Sequence, residues 1–85
     1  MNTEEMKKIV DEIKSLLEEK NKTYGDKNIE RIGKQGILIR LEEKIERLKN
    51  MIDKNITNAE SKEDTWKDIA GYAIIGVMLE RGVWS

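Results

Sequence analysis

The sequence predicts an all-α domain, a bundle of three helices with one short extra helical segment, completed by homo-oligomerisation. Three observations predict it. The 85 residues include no Pro and no Phe, and Leu, Ile, Lys and Glu dominate, most of them straight-chain residues that lose little rotamer freedom in a helix. Apolar residues recur three and four apart over long stretches. The last stretch is apolar on every side, which is more than a chain of this length can cover by itself. One domain spans residues 1–85.

The first helix runs from Thr3 to about Lys20, where Met6, Ile9, Val10, Ile13, Leu16 and Leu17 form the apolar stripe. Asn2 or Thr3 is placed to cap it, with Glu4 and Glu5 in the first turn where the macrodipole favours acids. NKTYGDKN follows, and Gly25 beside Asp26 and the Asn residues supplies turn chemistry. A short segment covers Ile29 to Lys34, and Gly33 and Gly36 bracket the approach to a second helix ending near Asp53. Leu38, Leu41, Ile45, Leu48 and Ile52 hold an a/d spacing in it and predict a narrow seam against partner helices. The polar KNITNAES reads as a connection, and Ser61 with Asp64 opens the third helix, from about Lys62 to Arg81. Its core, IAGYAIIGVML, carries Gly71 and Gly76 with Ala70 and Ala73, so neighbouring backbones can approach closely. Burial of this helix on all sides requires a homodimer or a higher oligomer.

Charge and composition remove whole classes of function. Apolar residues are 38% and charged residues 39% of the chain, with sixteen Lys and Arg against seventeen Asp and Glu for a net charge of -1. That balance argues against a partner such as a nucleic acid polymer, which calls for a strongly basic surface. Zero Cys and zero His remove thiolate and imidazole chemistry, leaving carboxylates, Lys, Arg, Tyr and hydroxyls. No apolar run reaches the roughly 18 residues of a membrane span, and MNTEEMKKIV does not read as a signal peptide. A cytoplasmic location with no membrane partner is expected.

On the second helix the charges are sorted: Glu42, Glu43 and Glu46 flank the seam on one side, Arg40, Lys44 and Arg47 on the other. The plain reading is a solvated flank with i,i+4 pairs such as Glu43 with Arg47. On the third helix Asp64 and Asp68 lie one turn apart at the start of an apolar run. Either a favourable place in the helix dipole or a functional site explains them, and a carboxylate in a dry environment needs a counter-charge or a metal. Glu43 or Glu46 with Asp64 and Asp68 would form an all-oxygen site suited to Mg²⁺, a hard cation usually completed by substrate phosphates. Glu43 projects almost opposite the seam, so it lines a site only where another helix covers that side. Trp66 reads as a core residue, and Tyr24 as a ring that packs while its hydroxyl stays wet.

The stretches KNKTYGDKN, GILIRLEEKIERLKN and ESKEDTWKDIAGYAII resemble the nucleotide modification associated domain, type one, a small family common in phages and prophages. That family is similar to the all-alpha MazG-like nucleoside triphosphate pyrophosphohydrolases. The resemblance implies a MazG-like bundle that cuts a nucleoside or deoxynucleoside triphosphate to the monophosphate and pyrophosphate with Mg²⁺. It implies catalytic roles for Glu43, Glu46 and Asp68, and metal ligation by Glu43, Glu46, Asp64 and Asp68. Tyr24, Asp26, Arg40, Lys44 and Arg47 would bind the nucleotide. Glu43 and Glu46 fit the superfamily's E-x-x-E; Asp68 fits the last position of its E-x-x-D, where Thr65 stands in place of the acid and Asp64 lies one residue off. That departure motivates a second reading on the same scaffold, alternative to the pyrophosphohydrolase: a phage sponge that binds a nucleotide or cyclic nucleotide without cutting it.

Overall fold

A computed structural model describes the backbone of residues 1–57 and 59–85 and the side chains of 1–57 and 62–85. Three helices form the described chain, α1 (Thr3–Tyr24), α2 (Asp26–Asp53) and α3 (Ala59–Arg81). Asn2 caps α1, its side chain accepting from the Glu5 N–H at 3.1 Å, which satisfies one of the orphan donors of the first turn. The helix continues past Lys20 to Tyr24 because no residue there breaks it. Gly25 then ends it at φ 79°, donating its N–H to the Asn21 carbonyl at 2.7 Å. The expected loop is therefore a single residue, and α2 begins at Asp26.

The short segment and the second helix are two arms of α2, joined at Gly33, whose φ of 59° and ψ of -168° depart from the helix. A side chain is strained in that conformation, so glycine is what permits the bend. Gly36 completes it, because a Cβ there would sit 2.5 Å from the Ile32 Cβ. The expected cap of α3 by Ser61 lies outside the described residues.

α2 packs mainly on α3, and α1 rests more lightly on both. The core is Ile29, Ile37 and Ile75, ringed by Leu17, Ile32, Leu41, Tyr72, Leu79 and Trp84. Two expectations about the packing need correction. The face that α2 buries runs through Ile37, Leu48 and Met51, with Leu41 and Lys44 half-buried between them. Leu38, Ile45 and Ile52 are instead exposed. The seam keeps Leu41 and Leu48 but is rotated by about 60°, because Lys44 turns inward toward an acid on α3. Second, Trp66 is 58% exposed rather than core, while its neighbour Thr65 is 2% exposed. Adjacent helical residues point about 100° apart, and the side of α3 that meets α2 takes Thr65.

The single chain does not bury α3 all round. Ile74 and Val77 are exposed with Trp66. The radius of gyration is 13.9 Å, against about 12 Å for a compact domain of this length. Among the described residues no helix is long and apolar enough to cross a membrane.

Candidate functional site

Between α1 and the α2–α3 pair lies a cavity of about 400 Å³. Each helix contributes one stripe to it. Ile13, Leu16, Leu17, Lys20 and Tyr24 come from α1, and Lys67, Asp68, Gly71, Tyr72 and Ile75 from α3, both sets at helical spacing. From α2 come Asn28, Ile29 and Ile32 before the bend and Arg40 and Lys44 after it. In a straight helix Asn28 and Lys44 would be about 24 Å apart along the axis, too far to border one small cavity, so the Gly33 bend is what brings both arms to it.

Charge gathers at one end. Asp68 accepts from Lys20 at 3.1 Å through one oxygen and from Lys44 at 3.1 Å through the other. Its side chain is only 16% exposed. Burial pushes the Asp68 carboxyl up, but the hydrogen bonds and charges of Lys20 and Lys44 outweigh it and hold the group below the ordinary carboxylate range. Lys67 donates to Glu12 at 3.0 Å and to Glu63 at 3.2 Å. Those hydrogen bonds, the one to Glu12 foremost, raise its pKa above that of a free lysine. Arg40 stands beside Glu43 at 3.9 Å.

Aromatic rings line the cavity as well. Tyr24 and Trp84 border the cavity where α1 ends and α2 begins, and Tyr72 lies one turn along α3 from Asp68. Trp84 donates its indole N–H to the Asp26 carbonyl at 3.0 Å, and Ser85 donates to Glu30 at 2.6 Å, so the C-terminal residues are docked on the first arm of α2. The Asp26 carboxylate accepts from the Asn21 side chain at 2.8 Å and is not part of the cavity wall.

Of the residues expected to form the site, Tyr24, Arg40, Lys44 and Asp68 therefore come together. Glu43, Glu46 and Asp64 do not join them. Glu46 pairs with Lys49 at 3.5 Å on the exposed face of α2, Asp64 is exposed, and Arg47 is exposed outside the cavity. The expected Glu43–Arg47 pair is replaced by Arg40–Glu43 at i,i+3. Among the described residues no three acids lie close enough to hold a metal ion, and both oxygens of Asp68 already face ammonium groups. Within one chain the described residues do not fit an Mg²⁺ site.

Sequence reasoning missed Lys20, Lys67 and Tyr72. Lys20 opens the KNKTYGDKN stretch and Lys67 directly precedes Asp68, so each lay within or beside a segment already singled out. Tyr72 shares a face with Asp68 at i,i+4. Trp84 is both core packing and cavity wall. Comparison with known proteins finds no matching family model, no matching curated protein and no matching solved structure.

Proposed function

We propose that the protein binds a nucleotide in this cavity and retains it without hydrolysis. The observation that carries the reading is one small cavity lined by four cations, Lys20, Lys44, Arg40 and Lys67, together with three aromatic rings, Tyr24, Tyr72 and Trp84. Its volume of about 400 Å³ falls in the range of small-molecule sites, roughly 300–1,000 Å³. Asp68 and Ile75 are about 10 Å apart along α3, a length suited to a base and sugar at one end and a phosphate at the other. Aromatic faces stack on a base, and ammonium and guanidinium groups meet the phosphate.

Trp84 supplies the reporter. In a Trp66→Phe protein it is the sole tryptophan, so added nucleotide is expected to change its emission, and to raise the melting temperature, with or without a chelator. Nucleotide recovered intact after incubation supports retention. Neither an emission change nor a thermal shift with any nucleotide would remove the reading.

The pyrophosphohydrolase reading has one observation in its favour. Glu43 and Glu46 stand exposed on α2, away from the buried seam, where a second copy could bring them against another cavity. Pyrophosphate released from a nucleoside triphosphate, lost in Glu46→Gln and Asp68→Asn alike, supports it; intact nucleotide counts against it.

A homodimer belongs to the proposal. The chain exposes 6629 Å², whereas a folded monomer of its mass exposes about 5,200 Å². The excess, about 1,400 Å² per chain, matches what each partner of an obligate homodimer buries. The exposed face of α3, with Trp66, Ile74 and Val77, is the surface proposed to meet its copy.

A further inference from the structure

The nucleotide reading leaves open which phosphate the cavity takes, and the charges around it narrow the choice. Lys20 and Lys44 share one carboxylate, each at 3.1 Å, so the trio carries a single uncompensated positive charge. The remaining cations bring acids with them. Lys67 lies between Glu12 and Glu63 at 3.0 and 3.2 Å, and Arg40 has Glu43 at 3.9 Å. A polyphosphate entering here would set several negative charges against Asp68 and these flanking acids, in a place where Asp68 is only 16% exposed and water screens poorly. One negative charge is what the trio can balance.

Resting on the nucleotide reading, we propose that the Lys20–Asp68–Lys44 trio makes the cavity selective for a singly charged phosphodiester on a flat base, as in a cyclic nucleotide, over a nucleoside triphosphate. Asp68 does this in two ways. It holds two ammonium groups at one end of the cavity, and it cancels one of their charges.

Calorimetric titration of the full chain with a cyclic monophosphate and with the triphosphate of the same base, at equal ionic strength and without divalent metal, tests this. The cyclic nucleotide is expected to bind at least about tenfold more tightly, the direction Coulomb repulsion gives. Asp68→Asn should narrow that preference at least about threefold, because the added positive charge favours the more highly charged ligand. Lys20→Gln, at a side chain 46% exposed where folding is not at stake, should weaken cyclic nucleotide binding about tenfold or more by removing the uncompensated charge. Triphosphate binding as tight as the cyclic nucleotide in the unmodified protein, or a preference unchanged in Asp68→Asn, overturns the selectivity while the nucleotide reading stands. Absence of binding by either ligand overturns both.

Discussion

Asp68 is the residue on which the site turns, because it is the one acid among the described residues of the cavity wall and the partner of two lysines from two other helices. Its folded carboxyl is held below the ordinary 3.8. The unfolded chain therefore takes up a proton on acidification before the folded protein does, and the stabilising contribution is complete above the ordinary value and lost as pH falls through the lower folded one. Asp68→Asn is expected to lower stability at neutral pH by about 1–2 kcal/mol, the scale of charge-assisted hydrogen bonds with partly exposed partners. Urea unfolding curves of the two proteins should converge below the carboxylate range; a gap that persists there would mean packing, not charge, is at work. Thr65 gives a second test at this scale. It stands where the E-x-x-D of the family the sequence resembles would have an acid, and it is 2% exposed. Thr65→Glu supplies that acid yet buries a larger, charged side chain at a position only 2% exposed, and a loss of about 2–4 kcal/mol is expected. A stable Thr65→Glu protein that gains pyrophosphate release would instead favour the hydrolytic reading.

At the scale of the helix, the bend at Gly33 links fold to site. Its backbone lies where side chains are strained although nothing stands within 4 Å of a Cβ there, so Gly33→Ala isolates conformation from sterics. A loss of about 1–3 kcal/mol is expected from the backbone alone, and nucleotide binding should weaken as Asn28 and Ile29 move relative to Lys44; an Ala variant as stable as the parent would show that the bend is not enforced there. The existence of all three helices was legible in the spacing of Leu, Ile and Val, and so was punctuation at Gly25 and Gly33. The rotation of α2 was not. Leu41 and Leu48 belong to either of two apolar stripes, one through Ile37 and Met51, the other through Leu38, Ile45 and Ile52. Periodicity favours the stripe that keeps lysine outside. The fold takes the one that includes Lys44, because Asp68 waits for it across the helix interface. A long-range ion pair leaves no mark in local periodicity, which is also why Lys20, 48 residues from its acid, went unnoticed.

For the whole molecule, the apolar surplus of α3 was legible as a demand for cover, and the single chain leaves that demand unmet at Trp66, Ile74 and Val77. These positions project within about 80° of one another around the helix, so they form one face rather than scattered exposure. A self-complementary contact needs one such face on each copy, and a net charge of -1 sets little repulsion between two copies. Sedimentation should give a dimer at micromolar concentration, with a melting temperature that rises as the protein is concentrated. Trp66→Glu places a charge in the middle of the contact and is expected to yield monomer. Because Trp66 is 58% exposed within the chain, the substitution should cost the isolated fold no more than about 0.5 kcal/mol, and helical circular dichroism at high dilution should be unchanged. The cavity faces α1, so a monomeric Trp66→Glu protein that still takes up nucleotide would place the site within one chain. If dissociation and loss of nucleotide coincide, a second copy supplies part of the site, and the exposed Glu43 and Glu46 become the residues to substitute next.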